Sequence, residues 1–168
     1  MALTISQVNQ MSQGDFVEIF GTVFENTPTI AIQAWNHRPF CDVRDLHKKM
    51  VDIVTDMTDE AKLLLIKAHP DLGSKIKMAE ASISEQKSVG LDKLSPEEYA
   101  KFNSLNQTYK EKFNFPFIIA VKNHTKSSIL QAFESRLSND IESDRLQAIV
   151  EITHIAYFRL NAIFGIEN

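Results

Sequence analysis

The chain has 168 residues, of which 43% are hydrophobic and 24% charged, and a formal net charge of −4. Such a length and composition fit one compact domain over residues 1–168 with a sizeable core, of the ordinary soluble kind. The acidic balance lacks any basic cluster, which argues against nucleic acid as a partner, and Cys41, the sole cysteine, excludes an intrachain disulfide and a cysteine-rich metal site.

The start, Met1-Ala2-Leu3-Thr4-Ile5-Ser6-Gln7, has neither a charged beginning nor a long apolar run, so no signal peptide is expected. The apolar run from Phe115 to Val121 is too short to span a bilayer, and the terminal Ile166-Glu167-Asn168 is no peroxisomal tripeptide. A cytoplasmic protein with no membrane partner is the expectation.

Helix signals recur along the chain. Thr27-Pro28 offers an N-cap followed by proline at the first helical position. Val43, Leu46, Met50 and Ile53 then define one apolar face. Thr58 precedes Asp59 and Glu60, acids suited to a helix N-terminus, and Ala61, Leu64, Leu65 and Ala68 define the face that follows. Ala68-His69-Pro70-Asp71-Leu72-Gly73 breaks this pattern. Proline disfavours helical geometry in the residue before it, so His69 is expected in an extended turn just past a helix end.

Further on, Ser82-Ile83-Ser84-Glu85-Gln86 reads as a capping box of Ser82 with Glu85, opening a short helix that ends near Gly90. Ser95-Pro96-Glu97-Glu98 is a second capping box, leading into the stripe Tyr99, Phe102, Leu105, Tyr109 and Phe113. Phe115-Pro116-Phe117 reads as an extended connector because of its proline. Thr125 caps a helix with Ile129, Leu130, Phe133 and Leu137 on its inner face. The last helix should run from about Asp140 to Phe164 and stop at Gly165. Strand signals are nearly absent. The expected fold is all-α, a single domain of roughly eight helices.

Three features suit chemistry. The His69 imidazole has an unperturbed pKa of about 6.5, fit for proton transfer near neutrality, and a turn lets it project into a cavity; a plain loop histidine is the bland alternative. Gln86 carries an amide able to donate to and accept from a heterocycle, a role that the capping of Ser82 and Glu85 leaves unexplained. On the final helix Ile149, Ile152, Ala156, Arg159 and Ile163 are spaced 3, 4, 3 and 4 and share one inward seam. An arginine there needs a partner, because an unpaired buried charge is very costly. That partner is either an internal acid or a carboxylate or urea-like ligand held by its planar fork.

Other arrangements fail. His37, His47, His124 and His154 show no HExxH or Cys/His spacing, so no metal site is expected. No glycine-rich phosphate loop and no GxSxG elbow is present. Acid–base and electrostatic chemistry without a cofactor is what this composition favours.

Taken together, the motifs resemble the 2-oxo-4-hydroxy-4-carboxy-5-ureidoimidazoline (OHCU) decarboxylase family. The resemblance rests on Ala68-His69-Pro70-Asp71-Leu72, on Ser82-x-x-Glu85-Gln86, on Gly90-Leu91-Asp92, and on the run from Phe102 to Tyr109. It continues through Lys112 to Ile118 and Ile129 to Leu137, and closes with Ile155-Ala156-Tyr157-Phe158-Arg159-Leu160. The motifs stand in family order from about Phe16 to the C-terminus.

The resemblance implies that His69 and Glu85 are catalytic. It places Pro70, Ser82, Gln86 and Arg159 against the substrate, together with the main chain from Phe117 through Ile119 to Val121. It implies cofactor-independent loss of CO₂ from OHCU to give S-allantoin in urate breakdown, by a homodimer. Two departures stand out: Asn114 replaces a more usual glycine, tolerable because asparagine is the next-best left-handed residue, and the stretch between His69 and Glu85 is a few residues shorter than in some members. A non-catalytic helical binding module, or an enzyme acting on a related ureido or hydantoin acid, are the competing possibilities.

Overall fold

A computed structural model of the chain describes residues 2–74 and 80–167. The helices are α1 (Ile5–Gln10), α2 (Gln13–Phe20), α3 (Thr29–Trp35), α4 (Val43–Thr55), α5 (Asp59–Lys67), α6 (Glu80–Ser88), α7 (Pro96–Phe113), α8 (Lys126–Arg136) and α9 (Ile141–Ile163), with a 3₁₀ turn at Val121–Asn123. Among the described residues there is no strand, and the all-α expectation holds.

Most helix ends follow the side chains expected to set them. Thr58 Oγ1 accepts from the Ala61 N–H at 3.2 Å. Ser95 and Thr125 form reciprocal capping boxes with Glu98 and Ser128. Asn114 closes α7 at φ 58, the left-handed conformation that glycine usually takes. Gly165 does the same after α9, at φ 67, where the Ile166 N–H reaches back to Asn161 O at 2.8 Å.

Three expectations need correction. Thr27 does not cap α3: its hydroxyl donates to the Glu25 carbonyl at 2.8 Å, and Pro28 already has helical geometry. Leu64 is 70% exposed, whereas Leu65 and Ile66 are buried. On a helix of nine residues two adjacent positions can straddle the inner side, so the apolar pattern leaves the rotational phase open. Ser82 lies inside α6 rather than at its start, because the helix already includes Glu80; part of the shortened stretch after His69 falls at residues 75–79, outside the described residues.

The chain divides into two compact units, Met1–Leu65 with Thr153–Asn168, and Ile66–Ile152. In the first, α3 packs on α2 and α4, and Phe16, Phe20 and Phe164 meet with ring centroids 4.6 and 5.9 Å apart along the series. Full burial of a phenylalanine contributes about 2–3 kcal/mol, so this cluster anchors the unit. The second unit is built on aromatic contacts between α7, α8 and the connector. Phe117 stacks on Phe133 at 3.7 Å and meets Tyr109 edge-on at 5.2 Å. Offset and edge-to-face pairs of this kind add to the area they bury.

Candidate active site

In the second unit the site begins where α5 ends. The His69 N–H donates to Ile66 O at 3.2 Å, and the residue is buried in a turn just past the helix, as its proline dictates. Beyond half-buried Pro70, the chain turns through Asp71-Leu72-Gly73. Gly73 has φ +68, and a Cβ there would meet Leu94 Cδ1 at 2.8 Å, so the turn requires glycine.

Neighbouring helices grip this turn. Gln86 of α6 accepts the Gly73 N–H on Oε1 at 2.9 Å. From α7, Asn106 Nδ2 donates to Leu72 O at 2.9 Å, and Lys110 pairs with Asp71 at 2.6 Å. The amide expected to meet a heterocycle therefore also holds the histidine turn in place. Ser82 and Gln86, four residues apart, share the buried face of α6, with half-buried Glu85 beside them. α6 packs on the 3₁₀ turn that starts with Val121, which joins the histidine turn, α6 and the connector in one unit.

The connector itself is buried without a break from Phe115 to Val121. Its main chain is fixed from one side: Arg136 Nη1 donates to Ile118 O, and the Ala120 N–H donates to Glu151 Oε2 at 2.8 Å. In extended backbone the groups of alternate residues face opposite ways. Among the described residues, none donates to or accepts from the main chain of Phe117 or Ile119. Buried N–H and C=O groups are almost always paired. Those of Phe117 and Ile119 are exceptions among the described residues.

Arg136, which sequence reasoning passed over, is the anchor of this arrangement. Its Nε and Nη2 meet the two carboxylate oxygens of Asp144 at 2.9 and 3.1 Å, and its guanidinium lies 4.6 Å from the centre of the Phe117 ring. Burial drives the Asp144 carboxyl up and the Arg136 guanidinium down, each toward neutrality. The two-pronged bond between them opposes that pressure. Ile129, Phe133 and Arg136 are spaced 4 and 3, so the inner face of α8 was readable; the residue's place in the last turn disguised it as a solvated C-terminal cation.

Arg159 belongs to the first unit. It is buried on α9, in line with Ile152 and Ala156, as the seam requires, while Ile149 and Ile163 are only half-buried. Its Nη2 pairs with Glu25 Oε2 at 2.9 Å, and Nη1 lies 3.3 Å from the carbonyls of Thr22 and Val23. The internal acid is thus present. Glu25 sits in a loop without periodicity, so no pattern marked it in advance. Among the described residues no group of His, Cys, Asp or Glu converges as a metal ligand set would.

Comparison with known proteins gives these features a family. The sequence profile described as OHCU decarboxylase matches residues 9–161. The chain belongs to the OHCU decarboxylase family. It is 40% identical over 165 residues to the 2-oxo-4-hydroxy-4-carboxy-5-ureidoimidazoline decarboxylase of Haloferax volcanii, covering 98% of each chain. It is 43% identical over 157 residues to the uric acid degradation bifunctional protein of Bacillus subtilis, covering 94% of this chain and 32% of that one. The chain thus spans about a third of such bifunctional relatives.

Among solved structures, an (S)-allantoin synthase matches with a TM-score of 0.76 and 25% identity, over 96% of this chain and 54% of the other. An OHCU decarboxylase determined in the presence of (S)-allantoin shares the fold, with a TM-score of 0.71 over 92% of this chain and 99% of that one. No helix of the described residues is long and apolar enough to cross a membrane.

Proposed function

We propose that this protein decarboxylates OHCU to (S)-allantoin, without a cofactor, as a step of urate breakdown. The observation that carries the proposal is the match to a decarboxylase of the family over 98% of both chains. The family profile draws on both compact units, which supports treating residues 1–168 as one catalytic domain.

The chemistry suits the residues. When the bond to the carboxylate breaks, its electron pair passes into the adjoining imine of the substrate ring. A proton must then be added on one face to fix a single configuration. His69 and Glu85 handle the substrate hydroxyl and this protonation, a role for which general acid–base groups typically contribute about 10²–10⁴-fold. The main chain of Phe117 and Ile119, unpaired among the described residues, supports recognition of ring N–H and C=O groups, and Val121 lines the same pocket. Pro70 and Ser82 line the pocket. Gln86 and Arg159 hold the ring and its ureido arm, with the Arg159 fork already set by Glu25. The working form is a cytoplasmic homodimer.

The test uses freshly generated OHCU followed by circular dichroism, with and without the protein. Acceleration to a single enantiomer of allantoin is expected, and the His69→Asn variant should keep the helical far-UV signal while losing most of the acceleration, on the order of 10²-fold or more. Racemic product at the background rate would leave a non-catalytic binding module, and turnover only of another hydantoin acid would leave a related enzyme.

A further inference from the structure

We infer that Asn106 is a positioning residue for His69, acting through the turn that follows the histidine. The inference rests on the proposal above that His69 handles the substrate. On α7 the buried positions Phe102, Asn106, Tyr109 and Phe113 are spaced 4, 3 and 4, so the amide interrupts an apolar seam. Asn106 is 5% exposed, and its Oδ1 has no partner. A buried acceptor left unpaired works against stability, and an apolar side chain of similar size would serve the seam better. What the amide does achieve is one hydrogen bond, from Nδ2 to the carbonyl of Leu72 at 2.9 Å. That carbonyl also fixes which end of the amide faces the turn, since a flipped amide would set oxygen against oxygen.

Leu72 lies three residues beyond His69, across the fixed φ of Pro70. The same turn is held from α6 through the Gly73 N–H on Gln86, and at its start by the His69 N–H on Ile66 O. Lys110 adds a grip on Asp71, but its side chain is 47% exposed, and exposed ion pairs contribute little. Asn106 is the fully buried clamp on the α7 side. Its removal frees the Leu72 peptide, and with it the imidazole, from a defined position relative to the substrate.

The experiment compares the full-length wild type with Asn106→Leu in the OHCU assay, together with thermal unfolding and the enantiomeric excess of the allantoin formed. Leucine removes the orphaned Oδ1 but leaves the Leu72 carbonyl without its donor, so the two effects oppose each other and the melting temperature should change little. Turnover (kcat) should fall on the order of 10–10²-fold, as expected when a catalytic group is misplaced by about an ångström, with KM changed by less than about 2-fold. The enantiomeric excess should drop, a readout that a purely structural role would not move. If leucine prevents folding, Asn106→Asp keeps the size and the acceptor while deleting the donor, and the same split is expected. Unchanged kcat and enantiomeric excess in a folded variant overturn the inference, as does an activity loss that merely matches a loss of folded protein. A wild type that fails to accelerate OHCU decay overturns the proposed function and this inference together, whereas an active wild type with an equally active variant overturns only the role of Asn106.

Discussion

Arg136 and Arg159 are both 7% exposed, both lie on inward helix faces, and both pair with a buried acid. Their surroundings differ. Arg136 spends its fork on Asp144, on the Ile118 carbonyl and on the Tyr109 hydroxyl at 3.3 Å, with aromatic rings against its plane. Arg159 has Glu25 Oε2 at 2.9 Å and the carbonyls of Thr22 and Val23 at 3.3 Å among its partners. Short, two-pronged and stacked contacts describe a cation that holds the chain together. For Arg159, the proposal above adds a ligand to a cation that already has an acid and main-chain carbonyls beside it. Burial alone does not separate a structural arginine from one proposed to hold a ligand; kinetics set beside stability does.

The sharpest way to break this comparison is to remove the acid from the Arg136 pair. Asp144→Ala leaves Arg136 buried without its counter-charge, a change worth about 3–5 kcal/mol. For a chain of this size, that lowers Tm on the order of 10 °C. Pairing Asp144→Leu with Arg136→Met should recover much of the loss, since apolar groups of similar volume often replace a buried ion pair without penalty. Thermal unfolding of the single and double variants checks this. If the double variant is no better than the single one, Arg136 is needed for the connector itself, through Ile118, more than for the pair.

Arg159→Lys probes the second pair. Lysine keeps the charge, and with it an attraction to Glu25, but loses the planar fork. A hydrogen bond to a charged group contributes about 1.5–3 kcal/mol, so the loss of one raises KM roughly tenfold or more, with Tm little changed. Steady-state kinetics beside thermal unfolding decides. An unchanged KM with a clearly lowered Tm would make Arg159 a second structural arginine and erase the distinction.

The contrast also shows what was legible in the sequence and why the rest was not. Caps at Thr58, Ser95 and Thr125 were readable because one side chain meets backbone donors within a single turn. The His69 turn was readable because Pro70 restricts the residue before it through local sterics. Arg159 was conspicuous as a charge on an apolar seam, yet its partner Glu25 stands over a hundred residues away in an aperiodic loop. No local rule could pair them. Asn106 was equally visible in spacing, at the fourth residue after Phe102, but its meaning depends on the Leu72 carbonyl that tertiary packing brings to it. Pairing on one face of the connector, which leaves Phe117 and Ile119 unpaired, likewise exists only once α8 and α9 supply Arg136 and Glu151. Local geometry was in the sequence; the partners were in the fold.

A smaller effect sharpens the comparison by pH. Within the first unit, His47 Nε2 donates to Thr153 O on α9 at 2.8 Å, and its ring meets Tyr157 edge-on at 5.5 Å. Burial pulls its pKa below the ordinary 6.5, the Thr153 carbonyl works the other way, and neighbouring His154 adds to the depression. The folded state therefore prefers the neutral ring, while the unfolded chain takes up a proton near pH 6.5. Stability from this residue is fully present above that pH and is lost as the pH falls below it, because the unfolded state then binds more protons. His47→Gln keeps an N–H donor for Thr153 but does not titrate. Thermal unfolding between pH 7.5 and 5.5 should show a shallower fall in Tm for this variant than for the wild type. The always-charged Arg136 contributes no such slope over that range, so an equal slope in the His47 variant would show that the pH sensitivity arises elsewhere and does not mark out the α9 segment that carries Arg159.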